Sequence, residues 1–317
     1  ANGELPVNIK IMFEGEEESG SPSILKFVET YKDMLTADVM LNCDGGLDTD
    51  SPAIYYAGRG IVSAEVKVTG PKADLHSGEF GGIIQNPLHI AGKIIGSFHD
   101  DDGRIQLPGY YDKVVEVDAE EKERIDAGFD ADDKMEKSGV DKFWGNIATA
   151  PERATVYPTL DVNGMWGGYQ GSGTKTVLPA EAGFKITMRL APNQDPTEVS
   201  QILKTYIEAF ATDHVAVECT IGQEQWYFEL VKEGQYLEAV QDAIEGTIGK
   251  RASLKRTGGS IPILGVFNRI IGLPITAFGY GRGGGIHSPN EYLDIDTFFT
   301  ALEAGVRLYH NLGDTSK

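Results

Sequence analysis

Four carboxylates fall within five residues at Glu14, Glu16, Glu17 and Glu18, inside the string Phe13-Glu-Gly-Glu-Glu-Glu-Ser-Gly-Ser21. Carboxylates this crowded repel one another, so the chain either holds them apart in water or brings a cation or a shared proton among them. An acidic run alone reads as a solvated loop, but its flanks constrain it further. Upstream, Leu5, Val7, Ile9, Ile11 and Phe13 alternate with mostly polar residues, the period of a strand with one buried face. Downstream, Ser21-Pro22 has the form of a helix N-cap followed by proline at the first helical position. Ile24, Leu25, Phe27, Val28, Tyr31, Met34 and Leu35 then recur at helical spacing. The pattern predicts a strand-to-helix turn bearing the carboxylates, and α/β sheets gather their sites at the carboxyl ends of strands.

The rest of the chain divides by rhythm. Short apolar runs at 38–43, ending in Asp44-Gly45-Gly46, and at 53–57 continue the α/β pattern. From Ile61 an alternating strand leads to a loop over 74–82 and a helix capped by Asn86-Pro87. Residues 99–152 are highly charged and predict a helical or irregular surface insertion, followed by a glycine-rich passage at 164–173. A strand at 184–190, a helix capped by Asp195-Pro196 and a strand at 214–221 suit a small α+β sandwich. Helices at 236–248 and 261–271, a strand at 275–278, a glycine loop ending in Ile286-His287-Ser288 and a last helix capped by Asp296 return to α/β. The fold class expected is therefore α/β, a discontinuous domain of 1–59 and 227–317 interrupted by a smaller α+β domain at 60–226.

The net charge of -20 over 317 residues argues against nucleic acid or an anionic membrane as partner. No apolar run approaches the roughly 20 residues of a spanning helix. Two cysteines, Cys43 and Cys219, make no disulfide framework and point to a reducing cytoplasm.

Glu17-Glu18, Asp44 and His287 each lie just past a predicted strand, so all could meet at one sheet edge. Carboxylate oxygen and imidazole nitrogen are ordinary zinc ligands, and a spare carboxylate beside a metal can take a proton from bound water. On spacing alone, Asp44 reads equally as a turn residue and His287 as a loop histidine.

The string from Glu14 to Ser21 resembles a signature of the co-catalytic zinc metallopeptidase family of carnosine dipeptidases, aminoacylases and glutamate-type carboxypeptidases, with the cytosolic nonspecific dipeptidase branch nearest. Asp74-Leu-His76-Ser-Gly, Lys175-Thr176-Val-Leu-Pro, Thr187-Met-Arg189, Gly258-Gly-Ser260-Ile-Pro and His287-Ser-Pro-Asn-Glu291 agree in order along nearly the whole chain. The resemblance implies a zinc-peptidase-like catalytic domain, incomplete and discontinuous, with an inserted lid and dimerisation domain. It implies hydrolysis of dipeptides or short peptides bearing a free C-terminal carboxylate, with N-acyl amino acid deacylation or a catalytically inert dimerising fragment as alternatives. By the same resemblance Glu17 is the general base, Glu18, Asp44 and His287 are metal ligands, and His76 steadies the oxyanion. Asp74-x-His76 as a metal pair is the rival. Arg189 would grip the substrate carboxylate, with Thr176 and Ser260 hydrogen-bonding the substrate. Glu14 and Glu16 are left scaffold or solvated roles.

The implied cofactor is two divalent metal ions, zinc first with manganese as the alternative; the implied partners are a peptide substrate and a second copy through the lid. The family's His-x-Asp string and its bridging aspartate have no counterpart here, and the chain starts at Ala1 as if in mid-domain. Without a bridging carboxylate two close cations repel with little compensation, so the polypeptide alone is expected to bind metal weakly and to turn over little peptide.

Overall fold

A computed structural model describes residues 5–286 and 288–315. The first segment carries helix α1 (Ile24–Thr30) and strands β1 (Met40–Asn42) and β2 (Ala53–Gly58). Arg59 alone separates β2 from β3 (Gly60–Thr69), which leads into β4 (Leu75–His76), α2 (Ser77–Phe80) and α3 (Pro87–Gly96). Helices α4 (Ala119–Ala127), α5 (Ala131–Ser138) and α6 (Ala150–Thr155) follow, then β5 (Thr159–Gly167), β6 (Val177–Leu178), β7 (Glu181–Leu190), α7 (Pro196–Glu208) and β8 (Ala216–Gln225). The last segment holds β9 (Phe228–Glu229), α8 (Gln235–Ile248), β10 (Ser253–Arg256), α9 (Pro262–Ile270), β11 (Ile275–Ala277), β12 (Gly283–Gly284), β13 (Tyr292–Leu293) and α10 (Ile295–Thr315).

The middle of the chain builds an antiparallel sheet in the order β5-β7-β3-β8. Val62, Ala64, Val66 and Val68 of β3 share one core with Phe184, Ile186 and Met188 of β7 and with Ile90, Ile94, Val199, Leu203 and Ile207 of α3 and α7. The intervening residues of the strands carry ion pairs on the other face, Lys67 with Glu181 and Lys185 with Glu65. The two helices start where the sequence predicts: Asn86 accepts from Leu88 N at 2.9 Å and Asp195 from Thr197 N at 3.0 Å, each with proline in the first turn.

The flanking segments pair with each other across that insertion. β1 runs parallel to β11, and β2 runs parallel to β10 with β9 antiparallel on its other side. Leu47, Ile54, Val240, Ile244, Phe278, Ala304 and Leu308 pack one core, and Val28, Tyr56, Phe228, Leu264, Phe267 and Ile275 another. This is the expected discontinuous α/β arrangement with an α+β insertion.

Four local expectations are corrected. The alternating stretch 5–13 forms no regular strand; Ile11 and Phe13 are 73% and 92% exposed, while Val7 and Met12 pack in part. A strand needs a hydrogen-bonded neighbour, and no described strand pairs with it. Ser21 is buried with φ 53°, and the helix begins at Ile24 after Ser23, whose N–H donates to Glu16 Oε2 at 3.1 Å. The last helix is capped by Asp294, which accepts from Thr297 N at 2.9 Å, not by Asp296. Residues 99–152 are helical, but more than a surface decoration: Ile105, Leu107 and Tyr110 enter the insertion's core, and Glu121 is buried against β2 and β10.

Candidate active site

The acidic string folds as a tight 3-10 turn over Glu17–Ser19, closed by Gly20 in the left-handed region at φ 83°. A side chain there would be strained, which explains the glycine after the serine. The turn abuts the end of β8, where Gln225 Nε2 donates to Gly20 O at 3.4 Å. Glu17 is half-buried and Glu18 exposed. Glu16 fulfils the scaffold role by receiving Ser23 N–H. Glu14 is not simply solvated: its Oε1 is buried with no hydrogen-bond partner.

Asp44 lies two residues past β1, beyond the carboxyl end of a parallel strand, and is exposed. Its loop is laced to the glycine loop after β11: Phe278 N donates to Asn42 O at 2.9 Å, Tyr280 N to Gly45 O at 3.1 Å and Leu47 N to Gly281 O at 2.7 Å. His287 lies outside the described residues. Among those described, no three His, Cys, Asp or Glu side chains gather as a metal ion requires. Glu18 and Asp44 are carboxylates suited to a divalent ion, and the third candidate ligand, His287, is not among the described residues.

His76 and Thr176 are brought together by the β4–β6 ladder, in which His76 pairs with Val177 and Ser77 N donates to Thr176 O at 3.0 Å. Both side chains are exposed on this ladder. His76 Nδ1 accepts from Gly78 N at 3.0 Å. An accepting Nδ1 carries no hydrogen, so the neutral ring presents Nε2–H outward as a donor. Any side chain at residue 78 would put its Cβ 2.8 Å from His76 Cε1, which accounts for the glycine. Asp74 Oδ1 accepts from Ala180 N at 2.9 Å and so pins the two strands together, an occupation that disfavours the Asp74-x-His76 metal pair. Long-range nitrogen–proton NMR at mildly alkaline pH is expected to show His76 as the Nε2–H tautomer; an Nδ1–H signal would contradict the geometry.

Arg189 and Ser260 meet although 71 residues apart: Arg189 Nη1 donates to Ser260 Oγ at 2.9 Å. Arg189 stands near the end of β7, opposite Thr159 and Ile61. Ser260 follows Gly258-Gly259 after β10 and donates to Arg59 O at 2.6 Å. No ion pair among the described residues involves either Arg189 or Arg59. Burial lowers the pKa of Arg189, with Asp161 opposing. A half-buried guanidinium with one serine partner and no carboxylate has donors to spare for an anion.

Arg59 belongs to none of the strings above. The available signal was a lone cation in Ala57-Gly58-Arg59-Gly60, between two apolar strands, where burial of a charge demands partners.

Residues 56–215 match the model of the peptidase dimerisation domain. The chain is 30% identical over 334 residues to the Cys-Gly metallodipeptidase of Schizosaccharomyces pombe, covering 99% of this chain and 68% of that one. It is 31% identical to the Beta-Ala-His dipeptidase of Homo sapiens over 92% of this chain and 59% of that one. Among solved structures, the M20 family metallo-carboxypeptidase of Sulfolobus solfataricus superposes with a TM-score of 0.83 at 27% identity, covering 95% of this chain and 69% of that one. The chain thus spans about six to seven tenths of these relatives.

Proposed function

Since this chain belongs to the M20 family of metallopeptidases, we propose that it supplies the substrate-gripping and lid portion of a site that hydrolyses the amide bond of dipeptides with a free C-terminal carboxylate. The observation that carries this reading is the Arg189 guanidinium, held by Ser260 and bonded to no carboxylate among the described residues. Arginine's planar fork matches a carboxylate in two parallel hydrogen bonds. A peptide's end would be fixed there, and Ser260 would keep the fork facing it.

In this reading Glu17, half-buried in its turn, takes the proton of the attacking water and passes it to the leaving amine. His76 Nε2–H donates to the oxyanion, and Thr176 beside the same ladder contacts the substrate. We assign 60–226 as the lid and dimerisation domain and 1–59 with 227–317 as the catalytic segments. Homodimerisation is supported by the matched dimerisation domain, and a reducing cytoplasm by two free cysteines. No described helix is long and apolar enough to cross a membrane.

Glu18, Asp44 and His287 have the right chemistry for two divalent ions, zinc or manganese. The described donors do not assemble such a centre, and the steps above run through side chains alone. Elemental analysis after incubation with excess zinc and desalting is expected to find less than one ion per chain. Two tightly held ions would contradict that.

The function itself is tested by calorimetric titration of the full chain in EDTA. Glycylglycine is expected to bind, and its C-terminal amide to bind at least about tenfold more weakly, the worth of a charge-assisted hydrogen bond. Equal affinities would remove the carboxylate reading. N-acetylglycine binding better than glycylglycine would favour the deacylase.

A further inference from the structure

We propose that Arg59 is a positioning residue for the carboxylate grip, acting on Arg189 through Ser260. The inference rests on the proposed role of Arg189 and adds a residue that touches neither substrate nor reacting atoms. Arg59 occupies the single position between β2 and β3, where the chain passes from the mixed sheet of β10, β2 and β9 into the inserted antiparallel one. Its residue exposure is 8%, so its charge is withdrawn from water.

The side chain does not spend its donors on a carboxylate. Nε donates to Gly258 O at 3.1 Å, and Nη1 to Arg153 O at 3.2 Å and Tyr157 O at 3.1 Å. These carbonyls come from two distant stretches, the turn after β10 and the end of the charged insertion. The backbone of Arg59 completes the hold, its N–H donating to Gly259 O at 3.0 Å and its carbonyl accepting from Ser260 Oγ at 2.6 Å. Three successive residues, Gly258, Gly259 and Ser260, are therefore fixed by one arginine.

The consequence falls on Ser260. A hydroxyl has one hydrogen, and here it is committed to Arg59 O. Arg189 has only donors, so with that hydrogen held on Arg59 O the oxygen's lone pairs are turned to accept from Arg189 Nη1 at 2.9 Å. The remaining N–H groups of Arg189 make no other side-chain hydrogen bond among the described residues. Burial first, then the charge of Arg189, pulls the Arg59 pKa down to about 10, with Asp161 and Tyr110 opposing. Two neighbouring guanidiniums with no ion-paired carboxylate among the described residues repel each other, and an arriving carboxylate relieves that repulsion.

The test is calorimetric titration of the full chain with glycylglycine and, separately, glycylglycine amide. Arg59→Lys keeps the charge but cannot reproduce the three-carbonyl fork. It is expected to weaken glycylglycine about tenfold, the worth of one misdirected hydrogen bond to a charged group, and to leave the amide unchanged. Ser260→Ala cuts the relay at the Arg59 carbonyl and leaves in place the bonds from the Arg59 side chain to Gly258, Arg153 and Tyr157. It is expected to give the same selective loss, and the two substitutions together no more than either alone. Wild-type preference retained in Arg59→Lys, or carboxylate and amide weakened equally, would overturn the proposal. If Arg59→Lys does not fold, retained preference in Ser260→Ala overturns it alone. A wild-type chain that does not prefer the carboxylate refutes the function reading itself, and this proposal with it.

Discussion

Replacing Arg189 with methionine is expected to lower the affinity for glycylglycine about a hundredfold, since two charge-assisted hydrogen bonds to a carboxylate are together worth roughly 3 kcal/mol. Methionine keeps most of the unbranched stem and removes the fork. The amide of the same dipeptide has no charge to lose and is expected to bind the variant and the wild type alike. The β-ladder survives, because the backbone of Arg189 makes the pairing with Thr159 and Ile61. Stability is expected to hold or rise slightly, because the charge of Arg189 lowers the pKa of buried Arg59 and its removal relieves that repulsion. A loss below about threefold, or an equal loss for the amide, would mean that the carboxylate is gripped elsewhere.

The second large effect lies outside the site, at Glu121. This residue of α4 is only 5% exposed. Its Oε1 accepts from Tyr56 OH at 2.6 Å and from Arg256 Nε at 2.5 Å, and Arg124 and Lys232 stand 3.6 and 4.0 Å from Oε2. The Arg256 guanidinium also lies 5.4 Å from the Tyr56 ring centre. One carboxylate thus joins α4 of the insertion to β2 and β10 of the mixed sheet.

Glu121→Ala leaves the buried Arg256 with only the more exposed Glu229, 3.7 Å away, and removing the buried partner of such a pair costs about 3 kcal/mol. Chemical denaturation should show that loss; a change under about 1 kcal/mol would mean that water or a neighbour replaces the carboxylate. Burial alone would raise the pKa of Glu121, but hydrogen bonds from Tyr56 and Arg256, then the charges of Arg256 and Lys232, hold it below its ordinary 4.5. A depressed carboxylate stabilises the fold fully above its unfolded pKa, and the contribution disappears as pH falls through the lower folded value. The variant should therefore lose less on acidification below pH 4.5 than the wild type.

Glu121 also shows where sequence reading stops. Residues 99–152 look like a solvated insertion because charge there is dense and apolar periodicity sparse. The carboxylate is buried because Arg256 of β10, the Tyr56 hydroxyl of β2 and Lys232 ahead of α8 close over it from outside its own helix, and no local pattern contains them. The stretch 5–13 fails in the opposite direction: its alternation is real, but a ladder partner is non-local and none is present among the described residues. β5 carries no strand signature in the sequence because most of its residues are exposed, so a buried face never alternates.

Local chemistry was legible. The caps at Asn86 and Asp195 follow from a side-chain oxygen placed just ahead of a proline. Within the candidate site the motif pairs Arg189 with Ser260 and His76 with Thr176 were legible as strings, and the fold brings each pair together. The tautomer of His76 and the hold of Arg59 on Gly258 were not, because each depends on backbone groups whose direction no string encodes.

The most direct measurement is a crystal structure of the full chain soaked with glycylglycine. The account predicts the ligand's carboxylate oxygens within about 3 Å of the Arg189 guanidinium, beside Ser260. A dipeptide bound with its carboxylate elsewhere, or with Arg189 turned away from it, would contradict it.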